Sequence, residues 1–396
     1  MDSPRKARST LFLIVFTDLI GFGIIIPLLP LYAESYHPAG WTFGLLMASY
    51  SAMQFVFSPV LGRISDRVGR RPVLLISLAG SIAGAVLFAV SDSLLLLFAS
   101  RLLAGICGGN IATAQAVIAD TTEPHERARG MGLIGAAFGL GFIAGPALAG
   151  VLVPISPAAP GWGAALFSTV AWVMTLLFLP ETRPIAGAEA PSAPRSGIAR
   201  LAFAFRHREL APLLAVGFLV VTGFAAFEVT FAQFLHDRLA LAPHSVSFLF
   251  VYVGVLAAAI QGGLVGRVTR LFGERRTVVG GLACTASGLI LLASAHRLGT
   301  VLGVLPLASL GAGLVMPSLS SLVSRHAGAN EQGLALGAFQ SAGSLARVVG
   351  PFGAEMALGA WGVAAPQVAA GLLSAVAAVG SAALFWQRRA AVPSAG

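Results

Sequence analysis

Twelve apolar runs constrain this chain more than any other feature of its sequence. Each is close to the length of roughly 20 residues that an α-helix needs to cross the hydrocarbon core of a bilayer. The runs cover residues 10–33, 43–62, 73–91, 94–118, 131–153, 163–180, 210–235, 245–266, 277–295, 299–323, 334–358 and 364–386. We therefore predict an all-α membrane protein with twelve transmembrane helices.

The charged residues are few, and their positions predict the orientation of the chain. Only 10% of the residues are charged and the mean hydropathy is +0.86, which excludes an ordinary soluble domain. If the N-terminus lies inside, all but four of the 25 Lys and Arg residues fall in cytoplasmic segments; the exceptions are Arg101, Arg238, Arg297 and Arg347. Because cytoplasmic loops retain Lys and Arg, we predict that both termini are cytoplasmic. The net charge of +9 then reflects topology, and no nucleic-acid partner is expected.

A polar segment divides the twelve runs six and six. Residues 181–209 are rich in Pro, Ala, Ser and Arg, which is typical of a linker. We predict an N-terminal six-helix bundle over 1–180, a cytoplasmic linker over 181–209, and a C-terminal bundle with a short tail over 210–396.

The two predicted halves also share special positions, as a duplicated chain would. Residues 61–71 match 265–275 without a gap, and Gly145-Pro146 in run 5 matches Gly350-Pro351 in run 11. Repeats of this kind are typical of transporters, in which the substrate cavity lies between the halves.

Four motifs resemble those of a known family and lie in the runs where that family has them. They are residues 62–71 after run 2, 18–30 in run 1, 101–105 in run 4 and 141–146 in run 5. The first resembles the signature loop of the major facilitator superfamily, and the others resemble motifs of its twelve-span drug:proton antiporters. The chain is most similar to the tetracycline efflux pumps, notably at residues 70–75 and 118–122.

The resemblance implies two pseudo-symmetric six-helix bundles in the cytoplasmic (inner) membrane of a bacterium, and it implies proton-driven export. The chain departs from the tetracycline pumps where those pumps carry intramembrane aspartates and a histidine. It has Gly84, Thr285 and Ala257 there. The resemblance therefore implies an exporter without implying that tetracycline is its substrate.

Ionisable side chains inside the runs are the candidates for proton coupling, because a charge at the bilayer centre costs roughly 2.5 to 3.5 kcal/mol on insertion scales. Of the five such residues, we assign Asp18, Arg101, Glu228 and Glu355 to proton coupling and Arg347 to the substrate cavity. Asp18 could instead satisfy backbone groups freed by nearby Gly and Pro residues. Small residues beside Arg101 would let spans 1 and 4 approach, so that Asp18 and Arg101 could be joined directly or through water. Arg101 could also be purely structural, and Glu355 could be merely interfacial.

The predicted substrate cavity combines charges with aromatic rings. It comprises Asp18, Gln115, Phe224, Phe227, Glu228, Phe231 and Arg347. A carboxylate among aromatic faces suits a lipophilic cation, through charge pairing and cation–π attraction. A helix-packing or proton-site role is the alternative for Glu228. Gln54, Gln261 and Gln340 are expected to join neighbouring helices.

The loop after run 2 is a candidate gate. Its residues are Gly62, Asp66, Arg67, Gly69, Arg70 and Arg71, with Asp120 at the end of run 4. Both glycines would allow tight turns. Arg70 can reach Asp120, as the family pattern also implies, and Asp66 could interact with the start of a helix in the other half. In the second half Arg270 replaces Asp66, so we expect a one-sided latch. Alternatively, these arginines only enforce topology.

The motif in run 5 is expected to control helix packing. Its special residues are Gly141, Gly145 and Pro146. Gly145 should lie against a neighbouring helix, and Pro146 should bend its own helix.

These features predict a proton-coupled secondary active exporter of small lipophilic or drug-like molecules, working by rocker-switch alternating access as a monomer. A metabolite or sugar transporter of the same superfamily is the first alternative, and a non-transporting membrane receptor is the second. An enzyme would need a cluster of nucleophile, base or metal ligands, which the sequence does not supply. We expect no cofactor and no metal, since Cys107 and Cys284 both lie within runs.

Overall fold

The computed structural model describes residues 4–37, 40–121, 127–182, 209–327 and 332–390, and in these ranges the chain is helical with no strand. The predicted all-α class is confirmed. The helices are α1 Pro4–Ile25, α2 Leu29–Glu34, α3 Gly40–Val68, α4 Arg70–Ala89, α5 Leu94–Cys107, α6 Asn110–Thr121, α7 Arg127–Leu152, α8 Ala159–Phe178, α9 Ala211–Leu239, α10 Pro243–Ala259, α11 Val265–Phe272, α12 Glu274–Ala293, α13 Leu298–His326, α14 Gln332–Trp361 and α15 Ala365–Ala390.

Nine helical segments of the described chain are long and apolar enough to cross a bilayer. Two shorter apolar helices, Leu94–Cys107 and Gly139–Leu152, fall within two more of the predicted runs. The chain is therefore a multi-pass membrane protein. The count of twelve spans and the cytoplasmic position of the termini stay predictions.

The described residues divide into two compact units. One unit holds the residues up to Thr182 together with Leu241–Gly254, and the other holds Glu209–Ala240 and the residues from Val255 onward. Each unit has its own apolar core. Leu11, Leu74 and Val117 are buried in the first core, and Leu213 and Leu319 in the second. Most of the predicted linker, residues 183–208, lies outside the described residues.

Glycines in α7 let it pack closely against α1 within the first unit. A Cβ built on Gly145 would lie 2.5 Å from the carbonyl carbon of Gly23, and one on Gly141 would lie 2.8 Å from the Cβ of Leu19. In the second unit, a Cβ on Gly350 of α14 would lie 2.6 Å from the carbonyl oxygen of Thr222 in α9. The matching glycines of the repeat thus permit the same kind of helix approach in each unit.

The link between α3 and α4 is shorter than the predicted loop. α3 continues through Gly62 to Val68, so Gly62 lies inside a helix and makes no turn. Gly69 alone separates the two helices, with a φ of +118° that L side chains rarely adopt. Gly273, its counterpart in the repeat, separates α11 from α12 with a φ of +76°.

One turn of π-helix, Ile260–Leu264, joins α10 to α11. Gly262 and Gly263 occupy this turn, and open space surrounds the position of a Cβ on either residue. The matching part of α3 contains Pro59 and remains α-helical. The same place in the repeat therefore carries a different helix irregularity in each half.

Candidate functional site

A small cavity inside the first unit brings together polar side chains from six helices. Its volume is about 60 Å³, which suits a few water molecules or a small ion rather than a drug-sized substrate. Asp18, Tyr50, Arg101, Asn110 and Ser168 contribute to its lining. We call this cavity the polar chamber.

Asp18 is held in the chamber by two neutral donors. Asn110 donates an Nδ2–H bond to one carboxylate oxygen at 3.2 Å, and Ser168 donates its hydroxyl to the other at 3.2 Å. Asn110 is the first residue of α6, and Ser168 lies in the middle of α8. Asp18 as a whole residue is partly buried, and it is one of the residues that line the chamber.

Arg101 lies in the same chamber, but the direct ion pair with Asp18 that we considered is not present. The guanidinium donates to Ser100 Oγ at 2.9 Å and lies over the ring of Phe88, 5.3 Å from its centroid. Its Nε–H is buried and has no hydrogen-bond partner among the described residues. Both side chains line one water-sized space, which leaves the predicted connection through water open.

Span 4 meets span 1 at Asn110 and Asp18, but the glycines expected to bring these two spans together lie against α3 instead. Gly105 and Gly108 lie against Tyr50 of α3, and a Cβ on Gly109 would lie 3.0 Å from Ser58 of the same helix. Gln54, also on α3, donates to the carbonyl oxygen of Gly108 at 2.9 Å, so it joins helices as expected. Close packing of span 4 on span 2 thus sets the depth of Arg101.

The second unit places Glu228 of α9 near Arg347 of α14, close enough for an electrostatic interaction. Both side chains are partly buried. Of the three phenylalanines, Phe231 is fully buried and Phe227 is 7% exposed, whereas Phe224 is 45% exposed. Their rings form a ladder with centroid distances of 6.4 Å and 4.7 Å. Phe224 is therefore the ring that this ladder presents outside the core.

Two further predicted site residues lie apart from these groups. Glu355 of α14 is only 2% exposed, so its side chain packs inside the second unit. Gln115 is partly buried on α6 and is not among the residues that line the polar chamber. The side chains of Gln261 and Gln340 are exposed on the second unit.

Arg70 is the centre of the candidate gate. Its Nε donates to Asp120 at 2.9 Å, and its Nη1 contacts Asp66 and donates to Ser65 Oγ at 2.8 Å. The Arg70 side chain is 9% exposed and Asp120 is 13% exposed, so much of this ion pair is withdrawn from solvent. Asp66 makes its contact within its own unit. We call Ser65, Asp66, Arg70 and Asp120 the motif cluster.

Glu181 holds the start of α4 beside the motif cluster. Its carboxylate accepts the backbone N–H of Arg70 at 2.8 Å and that of Arg71 at 3.2 Å, which satisfies amides that the helix leaves unpaired. Arg71 also donates from Nη2 to the carbonyl oxygen of Leu176 at 2.6 Å. The two other basic residues of the motif, Arg63 and Arg67, are exposed.

The second unit also has an ion pair at the matching place, which the comparison of Asp66 with Arg270 did not predict. The one-sided latch stays a prediction. Glu274 corresponds to Arg70 in the repeat and begins α12, as Arg70 begins α4. Its Oε1 accepts a hydrogen bond from Ser321 at 2.6 Å and lies 3.5 Å from Nε of Arg325. The polarity is reversed, since the helix-start residue is basic in the first unit and acidic in the second.

Asn110, Ser168, Glu181 and Glu274 were missed by the sequence analysis. Asn110 follows Gly108-Gly109, and Glu274 aligns with Arg70 in the repeat, so both had a signal that could have been followed. Ser168 and Glu181 had none, because only tertiary packing brings them to Asp18 and to α4.

The comparisons with known proteins agree with this architecture. The family model of the Major Facilitator Superfamily matches residues 11–351 and again 213–395. The chain belongs to the Major Facilitator Superfamily. A class G tetracycline resistance protein of Vibrio anguillarum is 35% identical over 352 residues, covering 88% of this chain and 89% of that protein. The class C protein of Escherichia coli is 33% identical, with 87% and 89% covered.

Solved structures extend the likeness to three dimensions. The crystal structure of the human organic anion transporter MFSD10 matches 96% of this chain and all of that chain, with a TM-score of 0.74 and 29% identity. A bacterial homologue of the lysosomal transporter Spinster matches with a TM-score of 0.78 at 14% identity, which shows the shared fold alone. The superfamily fold expected from the motifs is confirmed, and the chain is a transporter-family protein similar to tetracycline resistance proteins.

Proposed function

We propose that the chain is a proton-coupled secondary active exporter of small lipophilic, drug-like molecules in the cytoplasmic membrane of a bacterium. The carboxylate of Asp18, which opens onto the polar chamber beside Arg101, is the observation that carries the proposal. An acid that faces water-sized space within the protein can accept and release a proton, whereas one that faces lipid cannot do so readily. The tetracycline resistance relatives support a drug-like substrate.

In this proposal a monomer works by rocker-switch alternating access. Two six-helix bundles, over residues 1–180 and 210–396, rock around a central substrate cavity while both termini stay in the cytoplasm. Asp18 takes a proton from outside and releases it inside. Glu228 and Phe224 contact a cationic substrate. The motif cluster stabilises one of the two states through Arg70.

A second candidate substrate class is organic anions. The guanidinium of Arg101 has no acidic hydrogen-bond partner among the described residues, and a basic group of this kind favours an anion. The related human protein MFSD10 is an organic anion transporter. A panel with a cationic, a zwitterionic and an anionic probe separates the two classes.

The first prediction tests proton coupling with everted membrane vesicles energised by an imposed pH gradient. The probes are tetraphenylphosphonium, tetracycline and fluorescein. Asp18→Asn should abolish gradient-driven uptake of whichever probe the parent protein transports, because the amide keeps the size and polarity of the acid but cannot cycle a proton. The abundance and thermal unfolding of the variant should match those of the parent.

Asp92→Asn is the matched control, since it makes the same chemical change at an exposed residue between α4 and α5. It should transport normally. Normal pH-driven uptake by Asp18→Asn would reject Asp18 as the proton carrier. Transport of fluorescein alone by the parent would reject the lipophilic cation and favour the anion class.

A further inference from the structure

Span 4 is broken at the level of Asp18. α5 ends at Cys107 and α6 begins at Asn110, with Gly108 and Gly109 in a turn between them. A carbonyl freed at such a break needs a partner within the protein, because lipid offers none. Gln54 of α3 supplies the partner for the Gly108 carbonyl at 2.9 Å. The break is therefore a supported feature of the fold.

The break places hydrogen-bond donors at the wall of the polar chamber. It makes Asn110 the first residue of a twelve-residue helix, so the positive end of the α6 dipole lies at the chamber wall. The Asn110 side chain, only 7% exposed, donates to one oxygen of Asp18, and Ser168, 4% exposed, donates to the other from α8. Each carboxylate oxygen thus has one fixed donor from a different helix.

The other ionisable groups near Asp18 are few. Arg101 and Tyr50 line the chamber, and Cys107 of α5 interacts electrostatically with Asp18. α8 contains no charged residue, and the charged residues of α4, α6 and α7 lie in their terminal turns. Loss of the hydrogen bond from Asn110 or Ser168 should therefore change the protonation equilibrium of the Asp18 carboxylate.

We infer that Asn110 and Ser168 are positioning residues that favour the charged form of Asp18, and that Gln54 acts on the same site by supporting the break in span 4. Hydrogen bonds donated to a carboxylate stabilise its charged form over its neutral form. The inference rests on the proposed function, in which Asp18 is the proton carrier. In this inference, the uncharged side chains of Asn110, Ser168 and Gln54 adjust the pH range over which Asp18 couples proton movement to transport.

The test is an infrared pH titration of the purified full-length protein in lipid vesicles. The difference between the parent and Asp18→Asn identifies the carboxyl band of Asp18. Asn110→Leu and Ser168→Ala should each move the midpoint of that band to higher pH by about one unit, the size expected for one lost hydrogen bond to a charged group. Gln54→Leu should move it in the same direction by less.

Thr175→Val is the matched control. Thr175 is fully buried on the same helix as Ser168, and its hydroxyl bonds only to the carbonyl of Ala171. Its loss should leave the midpoint unchanged, even if the thermal stability falls. A purely structural role for Ser168 would likewise lower stability without moving the midpoint.

The outcomes separate the inference from the proposed function. An Asp18 band whose midpoint is the same in the parent, Asn110→Leu and Ser168→Ala overturns the inference and leaves Asp18 as carrier. A parent protein in which no Asp18 band titrates rejects both. A shift in the two variants and none in Thr175→Val supports the inference.

Discussion

Asp18 and Glu228 are acidic residues on the first described helix of their own units, yet their surroundings differ. Asp18 is bonded by the neutral donors Asn110 and Ser168, whereas Glu228 has a cation, Arg347, within electrostatic reach. The exposed ring of Phe224 lies one helical turn before Glu228. This difference favours proton exchange at Asp18 and recognition of charge at Glu228.

Replacing Glu228 with Gln should weaken export of a lipophilic cation far more than export of a neutral molecule of similar size. The change removes the carboxylate and leaves the positive charge of Arg347, so a cation loses an attraction and meets a repulsion. We expect cation transport to fall roughly 5- to 150-fold, the effect of about 1 to 3 kcal/mol. Initial rates for tetraphenylphosphonium and for neutral triphenylphosphine oxide in everted vesicles measure the difference. Equal losses for the two probes would contradict a role in selectivity.

The acidic residues of the candidate site could be predicted from the sequence, but their hydrogen-bond partners could not. A carboxylate within an apolar run, such as Asp18, is conspicuous because lipid excludes it. Asn110 had the preceding Gly108-Gly109 pair as a local signal. Ser168 is a small polar residue of a kind that many spans of this chain contain, and nothing in its local sequence separates it from Thr175, which bonds to its own helix. Only the packing of α6 and α8 around α1 selects them.

At the scale of helices, the glycines of α7 provide a test with an internal control. Gly145 lies against Gly23, whereas open space surrounds a Cβ position on Gly139 of the same helix. Gly145→Ala should therefore force α1 and α7 apart, at a cost of about 1 to 3 kcal/mol, and should reduce transport. Gly139→Ala should be neutral or slightly stabilising. Unfolding by SDS in mixed micelles measures both variants, and equal effects would show that the approach of Gly145 to Gly23 is unimportant.

The two ion pairs at the starts of α4 and α12 should differ in strength. Asp120 and Arg70 are largely buried, whereas the Arg325 side chain is 73% exposed and lies 3.5 Å from Glu274. Asp120→Asn should cost about 1 to 3 kcal/mol, because it leaves a buried guanidinium short of an anion. Arg325→Gln should cost less than about 1 kcal/mol. Thermal unfolding in detergent ranks them, and a larger loss for Arg325→Gln would contradict this reading of the burial.

Helix ends were harder to predict from the sequence than helix interiors. The charged residues 63–71 correctly indicate where the chain stops being apolar, but α3 continues as helix to Val68. Polarity marks the edge of the lipid and does not stop a helix, since a solvated helix keeps its backbone hydrogen bonds. A positive φ does stop it, and Gly69 is the residue of this segment that has one.

At the scale of the whole molecule, the orientation predicted from the basic residues can be tested by labelling. In a background with Cys107→Ala and Cys284→Ala, Asp92→Cys should react with a membrane-impermeant maleimide in intact cells. Arg67→Cys should react only after the cells are permeabilised. Both native residues are exposed, so access to the reagent reflects the side of the membrane. The opposite pattern would invert the topology.

The internal repeat could be recognised in the sequence because both halves keep a glycine at the same place between two helices, Gly69 and Gly273. The ion pairs within each half could not be predicted in this way. A comparison of Asp66 with Arg270 suggested that the second half had lost its ion pair, whereas Glu274 and Arg325 form one with the signs exchanged. An ion pair depends on two side chains that meet across two helices. An alignment of the two halves compares single positions and does not show which side chains meet.

The π-helix at Ile260–Leu264 adds a shift of phase to this repeat. A π-turn contains about one residue more than an α-turn, so side chains beyond it are rotated by roughly 100° relative to an uninterrupted helix. α3 has no such turn, and its side chains keep one angular register from Trp41 to Val68. Positions that share a number offset between the halves therefore point in different directions on the two sides of Gly262. Along residues 245–272, the helical periodicity of side-chain accessibility should therefore shift by one residue at this π-turn.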